Sequence, residues 1–548
     1  MLRGWLGIPT ATLVDFLWRR RVESTEVSKI LEDAKQLPLA APKTGRALFD
    51  TEQSTILKEG SGVGRSFDLF DTLIARRCVY PTEIFNKVEQ TSKYPNFARM
   101  RIAAEAQIAT GHYTIHDIYR SLVEHNNIPA GEAERLKSLE LQIEEDNLFP
   151  IAQHCQELNS TDIVVSDMYL PFEWLNKLLR DKFGLRPRQL YLYSNGKRDG
   201  TVWPRIKETM KITEHVGDNP VTDKASAQAA GIPARLTTVA RRTDIEEELA
   251  SAGYLPLANL IREARLTTWH GDPAMRRAQV TQLQVNFPLL FLATLHLKKL
   301  SDTVGWDLVL MSARDCYLWH ELYHQVSSLI PDLPKAIYLY SNRTIRAHPS
   351  PSYLAYLADV RTGQYNVIVD LCGTGWSLSR LLEQAPGPRT DIFLIHKIEL
   401  PHLLKRYKQF GPLVHPINPK FVVARPPQGA DSNVLEDLNL APHAAVEDVR
   451  QSPTGFLPVF SSLPYPEQAV QFIQIQHAVF RHACTLVKTL TSKDVAVMLE
   501  GDTALAIEAR YRHMAGQWSN FAWFHEHKQR EEILVWERLK KNSEQMMA

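Results

Sequence analysis

The feature that most constrains this 548-residue chain is a repeated pattern. A short apolar run stops at a carboxylate, hydroxyl or amide, and a helical stretch follows. SFDLFDTLI, DIVVSDMYL, QLYLYS and EHVGDN carry the pattern between residues 66 and 219. WDLVLMSARD, AIYLYSNR, YNVIVDLCGTG and DIFLIHK repeat it between residues 306 and 397. Strand-length runs alternating with helices imply a parallel sheet with crossover helices. In such sheets ligands bind beyond the carboxyl ends of the strands. The polar residues that end each run are therefore where chemistry is expected.

Two such series, on a chain too long for one core, imply more than one domain. The expected fold class is α/β, with two Rossmann-like parallel-sheet domains, the first carrying a helical cap, plus a helical C-terminal segment. Residues 1–60 read as an N-terminal arm ending in the polar KEGSGVGR, and 61–240 as the first domain. A helical insert spans about 80–155, with charged periodic runs such as AGEAERLKSLELQIEED. The second domain is expected over 241–464 and the helical C-terminal region over 465–548.

Charge and cysteine usage narrow the class further. Lys and Arg total 63 against 62 Asp and Glu, a net charge of +1, so there is no global electrostatic case for nucleic acid. Cys78, Cys155, Cys316, Cys372 and Cys484 form no CxxC pair, which argues against a disulfide framework or structural zinc and fits a reducing compartment. In MLRGWLGIPTATLVDFLWRRR the arginines follow the apolar part, the reverse of a secretory signal. A helix packed on its own domain is the preferred reading there, with an amphipathic helix on a membrane surface as the alternative. The apolar segment Phe287 to Leu297 is about half the length that spans a bilayer. The expected location is cytoplasmic, with a peripheral position at the inner membrane left open.

Four pieces in the first series carry chemistry. In FDLFDTL, Asp68 follows an apolar residue and Thr72 stands four residues on. A carboxylate at a strand end can attack phosphorus and form an aspartyl-phosphate. In VVSD, Ser166 ends a run and offers its hydroxyl to a phosphoryl oxygen; by itself it would read as a helix N-cap. Lys197 in YSNGKRDG supplies a cation, with Arg198 and Lys207 as neighbouring alternatives. In HVGDNPVTD, Asp218 and Asp223 join Asp68 as oxygen ligands suited to magnesium. Metal and lysine together stabilise charge on a transferring phosphoryl group.

These pieces, in this order, resemble the haloacid dehalogenase superfamily over roughly residues 60–240. The resemblance implies a phosphatase-type site with Asp68 as nucleophile, magnesium as cofactor, the Phe70 carbonyl as a further metal ligand, and the helical insert as a cap that sets substrate choice. The family usually places a second Asp two residues after the nucleophile as general acid and base. Here Phe70 occupies that position and Asp71 stands one further on. Leaving-group protonation is left to Asp71, a cap residue or water.

The second series holds VIVDLCGTGWS, residues 367–377. An apolar run delivers Asp370. Thr374, Gly375 and Ser377 then form a small-residue turn before the helical SLSRLLEQ. Such a turn offers backbone amides and hydroxyls to a phosphate, and an adjacent acid can bond ribose hydroxyls. The string resembles the phosphoribosyl diphosphate loop of type I phosphoribosyltransferases, although Val369 replaces the first of the usual two acids. The resemblance implies donor binding by Asp370, Thr374, Gly375 and Ser377, and pyrophosphate binding by Ser312, Arg314 and Asp315 of LMSARD. Arg343 and Arg346 of SNRTIR suit a leaving pyrophosphate. The alternative is a Rossmann-like domain with turn glycines and surface arginines.

Together the two series resemble the two-domain ribofuranosyltransferases of bacterial polysaccharide biosynthesis, over roughly residues 60–460. The resemblance implies transfer of 5-phosphoribosyl from phosphoribosyl diphosphate to a glycan acceptor, lipid-linked or free, followed by removal of the 5-phosphate. An alcohol acceptor needs a base, and Asp315, Asp370, Glu436, Asp437 and His443 are open candidates. Three alternatives stand beside this reading: a sugar-phosphate phosphatase with a non-catalytic second domain, a nucleotide-salvage enzyme, and a sensor or scaffold.

Overall fold

The computed structural model describes residues 62–109, 112–399, 414–416, 423–424, 430–461, 465 and 467–515. The expected N-terminal arm and the last part of the C-terminal helical region, from 516 on, lie outside the described residues. The chain is α/β and contains two parallel sheets. It divides into two compact units.

The first seven strands are β1 (Gly62–Phe67), β2 (Ile74–Arg76), β3 (Leu148–Pro150), β4 (Ile163–Asp167), β5 (Gln189–Tyr193), β6 (Met210–Gly217) and β7 (Ala234–Leu236). Five of them form the first unit's sheet in the order β5-β4-β1-β6-β7, every pairing parallel. β-Branched and apolar residues such as Ile163, Val164 and Val165 suit a strand buried on both faces. The consequence for function is topological. β1 is central and β4 and β6 are its neighbours, so the ends of FDLFDTL, VVSD and HVGDN adjoin.

Helices Thr82–Ser92, Phe97–Ile108, Ile115–Asn126 and Ala130–Asn147 make up the insert between β1 and β4. Within the insert expected over about 80–155, the fourth helix ends at Asn147, and β3 and a short helix, Ala152–Glu157, follow. Residues Asn147–Glu157, together with Asp71–Val79, belong to the second unit, where β2 and β3 pair antiparallel. The reason is apolar: Ala75, Phe149 and Ile151 pack with Ala240 and Leu266. The insert itself is organised around a buried cation. Arg101 donates to both carboxylate oxygens of Glu140 at 2.9 Å and to Glu105 at 2.8 Å. Its guanidinium lies over Phe85 and Tyr169, 4.5 and 5.0 Å from the ring centroids. Tyr119 adds a hydroxyl donor to Glu140 at 2.8 Å.

The second unit's main sheet uses β8 (Leu308–Ser312), β9 (Lys335–Leu339), β10 (Tyr365–Gly373), β11 (Arg389–Glu399), β12 (Val414–Pro416) and β13 (Val423–Ala424). Its order is β12-β11-β10-β8-β9, with β13 paired to β11, and all pairings are parallel. An antiparallel hairpin, β14 (Val446–Ser452) and β15 (Gly455–Phe460), follows in a region where the sequence pattern gave no strand. Pro458 within GFLPVF masks it, since proline is confined to sheet edges.

One helical run, Pro273–Val304, is 32 residues long and apolar enough to pass as a membrane span, well beyond the segment expected at Phe287 to Leu297. Its apolar window is 89% buried inside the protein. Phe287, Phe291 and Leu295 of this run share a core with Val367 and Val369 of β10. The helices Glu467–Leu486, Ser492–Glu500 and Thr503–Ala515 contribute Phe480, Met498 and Ile507 to that core. The described C-terminal helices thus complete the second unit rather than forming a separate body.

Removing one member of a buried, hydrogen-bonded ion pair strands the other charge. Arg101→Ala is expected to destabilise the first unit by about 3–5 kcal/mol, read by chemical denaturation. A change under about 1 kcal/mol, typical of an exposed pair, would mean that the Arg101–Glu140 contact does not organise the insert.

Candidate active site

Asp68 is the first residue beyond β1, and its backbone N–H donates to the Val216 carbonyl of β6 at 2.8 Å. That bond fixes the residue at the centre of the sheet's carboxyl edge. Ser166 is the penultimate residue of the neighbouring β4 and is buried. Asp218 follows the last residue of β6. The next turn, Pro220–Ala225, is capped by the Asn219 side chain, which accepts from the N–H groups of Val221 and Thr222. This turn sends Asp223 back under the strand end. There Asp223 Oδ2 accepts the Asn219 N–H at 2.8 Å.

Lys197 joins the pieces. Its ammonium donates to Asp68 Oδ1 and, at 2.5 Å, to Asp223 Oδ1, with all three side chains buried. Oxygen atoms of Asp68, Asp218 and Asp223 all lie within 4.8 Å of one another. Burial and the Asp223 charge push the Asp68 carboxyl above the usual carboxylate range, and Lys197 offsets only part of this. Burial also acts upward on Asp223, but Lys197 and the His215 hydrogen bond outweigh it and hold that carboxyl low. Burial alone would favour a neutral Lys197, yet Asp223, Asp68 and Asp167 keep it charged.

Two carboxylates share one ammonium, and an oxygen of the third, Asp218, lies within 4.8 Å of theirs. A hard divalent cation among these oxygens would relieve the excess negative charge, and all-oxygen donors of this kind suit magnesium. The residues therefore fit the group that the sequence implied.

Three residues that the motif reading passed over build this site. Asp167, the neighbour of Ser166, accepts the backbone N–H of Lys197 at 2.9 Å and of Arg198 at 3.0 Å, and so fixes the loop that presents the lysine. His215 is buried in β6 with Nε2 3.4 Å from Asp223 Oδ1. Because the Asp223 carboxylate can only accept, Nε2 carries the proton and Nδ1 accepts from the Ser66 hydroxyl at 2.7 Å. Gly217 ends β6, and a Cβ on it would lie 2.3 Å from Asp223 Cγ. The aspartate packs where a side chain would otherwise stand. Only Asp167 had a sequence signal, as a second polar residue at a run's end.

Asp71 takes a different course. It adopts a left-handed backbone (φ 58°), and its carboxylate stands 3.6 Å from the buried Arg262. The carboxylate cluster does not include it.

The second unit gathers its own polar group. Pairing of β10 with β8 stops at Val369↔Met311, while pairing with β11 runs on to Gly373↔Lys397. Asp370 was expected at the end of its strand. It lies within β10 instead, because the long β11 extends the ladder, but it has already left the β8 side. There Arg346 Nη1 donates to Asp370 Oδ2 at 2.9 Å, Nη2 donates to Ser312 Oγ, and Nε donates to Ser341 Oγ at 2.9 Å. Burial raises the Asp370 carboxyl despite Arg346. Arg346, one turn into helix Arg343–Ala347, makes these contacts; Arg343 at the helix start is exposed.

The expected phosphate loop has Gly375 at φ 72°, a left-handed conformation that favours glycine, immediately before helix Trp376–Gln384. Thr374 Oγ1 accepts the Trp376 N–H at 3.2 Å. Ser377 is half-buried in the first turn of that helix.

Arg314 donates to the Tyr465 hydroxyl at 3.1 Å, and Asp315 is half-buried beside it in the chain. Among the base candidates, Glu436 Oε1 accepts the Cys372 thiol at 3.1 Å, and Asp437 is buried. His443 is held neutral by burial. Its Nδ1–H donates to the Ala444 carbonyl at 2.8 Å, so Nε2 accepts from the Tyr338 hydroxyl at 2.9 Å. Both ring nitrogens are thereby occupied, which leaves no free base on His443.

Compared with protein-family models and with curated proteins, the chain matches none.

The contact between Gly217 and Asp223 gives a direct test of the first site's construction. Gly217→Ala is expected to displace Asp223 from Lys197 and cost about 3–5 kcal/mol, the scale of a broken buried pair, measured by denaturant unfolding. Unchanged stability would show that Asp223 tolerates a methyl group at this strand end.

Proposed function

We propose that the protein is a bifunctional ribofuranosyltransferase of bacterial polysaccharide biosynthesis, built from two Rossmann-like domains. One transfers 5-phosphoribosyl from phosphoribosyl diphosphate to a glycan acceptor, and the other, a capped phosphatase, removes the 5-phosphate. The observation that carries the reading is the Lys197-bridged carboxylate cluster at adjoining strand ends. A buried ammonium shared by two aspartates, with a hydroxyl on the next strand, is suited to phosphoryl transfer. The acceptor is a glycan, lipid-linked or free, and the location is cytoplasmic, with a peripheral site at the inner membrane in keeping with a lipid-linked acceptor. Nucleic acid has no place in the scheme.

In the phosphatase step an Asp68 carboxylate oxygen attacks phosphorus, and the bond from phosphorus to the ribose 5-oxygen breaks. Lys197 neutralises charge on the nucleophile and the phosphoryl group, and the Ser166 hydroxyl donates to a phosphoryl oxygen. Asp71 is engaged by Arg262, so in this scheme water protonates the leaving alkoxide. Water then attacks the aspartyl-phosphate, releasing phosphate and restoring Asp68. Magnesium, held by Asp68, Asp218, Asp223 and the Phe70 carbonyl, would supply Lewis-acid stabilisation of phosphoryl oxygens.

In the transfer step the turn at Thr374, Gly375 and Ser377 holds the 5-phosphate at a helix N-terminus. Asp370 bonds the ribose hydroxyls. Arg346 and Ser312, with Arg314 on the adjoining loop, donate to the departing pyrophosphate, and the loop carries Asp315 beside them. The acceptor hydroxyl attacks the anomeric carbon from the opposite face as the bond to pyrophosphate breaks, giving a β-ribofuranoside. Asp315, Asp370 and Glu436 are the base candidates that His443 and the buried Asp437 leave.

Two measurements test the halves separately. Asp68→Asn cannot form the acyl-phosphate, so phosphate release should vanish while transfer continues, since the two sites lie in separate sheets. The product should then be heavier than the mature riboside by one HPO₃ in mass spectrometry. Fully dephosphorylated product from this variant would overturn the two-step scheme.

Gly375→Val places a β-branched side chain on a left-handed residue where the phosphate would sit. Ribosyl transfer should be lost, while phosphatase activity on a preformed phosphoriboside persists. Asp370→Ala should weaken donor binding by about 1.5–3 kcal/mol for each charged hydrogen bond removed. Transfer by Gly375→Val at the parent rate would remove this loop as the donor site and leave the phosphatase with a binding module.

A further inference from the structure

The carboxyl ends of β8 and β9 carry an aromatic group that the scheme above does not use. Tyr340 is the first residue beyond β9, whose last residue, Leu339, is in register with Ser312. The ring of Tyr340 stands edge-on to Phe460, with centroids 6.2 Å apart, and 6.1 Å from His443. His443 and Phe460 lie closer, at 4.9 Å and 36° between planes. Behind them, the Tyr338 hydroxyl locks His443 in place.

The group is tied to the polar site by a short chain of bonds. Arg314 donates to the Tyr465 hydroxyl at 3.1 Å, and that hydroxyl donates to the His443 carbonyl at 3.1 Å. On the other side, Ser341, next to Tyr340, accepts from Arg346.

Phe460 is the outermost member. It is 41% exposed, at the end of a hairpin strand whose Leu457 and Val459 are also exposed. Exposed apolar residues scattered singly are ordinary. An aromatic face held rigid by its neighbours, beside a cluster of cations and carboxylates at a sheet's ligand-binding edge, is not scattered. It offers a flat apolar surface whose His443 is linked through the Tyr465 hydroxyl to Arg314. A sugar ring has the matching chemistry: one face of axial C–H groups and an equatorial belt of hydroxyls.

We infer that Phe460, backed by His443 and Tyr340, is the platform on which the acceptor saccharide stacks, with a pyranose C–H face against the Phe460 ring. The inference rests on the glycan-acceptor reading for the occupant's identity. It adds which residues bind the acceptor and which face they take. The hydroxyl belt then turns toward Arg314, Asp315 and the donor site. Phe460 acts by binding and orientation, and proton removal stays with the carboxylates.

The test is saturation-transfer NMR on the full chain with methyl β-D-galactopyranoside, whose H3, H4 and H5 share one face. Saturation should concentrate on those three protons with the parent protein and with Phe460→Tyr, which keeps the ring. It should disappear with Phe460→Ala, whose thermal unfolding is followed to show that the fold is retained. No saturation with the parent, or undiminished saturation with Phe460→Ala, overturns the platform.

Pyrophosphate release from phosphoribosyl diphosphate by the parent is measured alongside. Stacking on Phe460 without pyrophosphate release would count against the donor reading and leave the platform standing. Release with no Phe460-dependent stacking would do the reverse.

Discussion

Two carboxylates buried at adjoining strand ends are held together by one ammonium. Lys197 sits between Asp68 and Asp223, and without it the two carboxylates would face each other in a medium that penalises each of them. Bringing such charges out of water is costly, and the mutual attraction offsets the cost only when the remaining lone pairs are satisfied. The surrounding bonds do this one by one. Asn219 supplies an N–H to Asp223, His215 supplies a ring N–H, and Asp167 holds the lysine's own backbone. Much of the first unit's local geometry follows, including a turn that folds back and a strand that ends in glycine so the aspartate can fit.

The second unit solves a similar problem with an arginine. Arg346 spans Ser312 at the end of β8, Ser341 in the loop beyond β9, and Asp370 within β10, just past its pairing with β8. A guanidinium has donors in a fixed planar fork and can serve several acceptors at once, whereas an ammonium is a point charge. The first site is compact and built around a point. The second is broader, and its aromatic flank lies to one side of the fork.

Much of this was legible in the sequence, for identifiable reasons. Asp68, Ser166 and Asp218 end apolar runs, and a strand's end is a position that periodicity can locate. Their mutual approach required only that β1, β4 and β6 be neighbours, which the sheet order provides. Lys197 lies in a loop, and what singles it out over Arg198 is the pair of carboxylates it reaches. His215 and Gly217 were invisible because their roles consist of what they touch across the fold. Arg343 and Arg346 sit one helical turn apart, and only the start and direction of a five-residue helix decide which faces Asp370. Asp71 looked available from its place in FDLFDTL, but a left-handed backbone turns it to Arg262. The hairpin bearing Phe460 was hidden by its proline and by a pattern with little alternation.

The path of the chain has a consequence for inheritance. Residues Asp71–Val79 and Asn147–Glu157 interrupt the first unit's sequence yet belong to the second, where β2 and β3 pair and join the core near Leu266. A single crossover near residue 240 would hand a recombinant gene the larger unit without two of its segments, and leave the smaller one trailing two orphaned apolar strands. Shuffling these units between genes as independent cassettes would therefore demand several coordinated breakpoints. The chain is braided rather than beaded, and lineages carrying it are expected to diversify by substitution within each unit more readily than by exchange of either one.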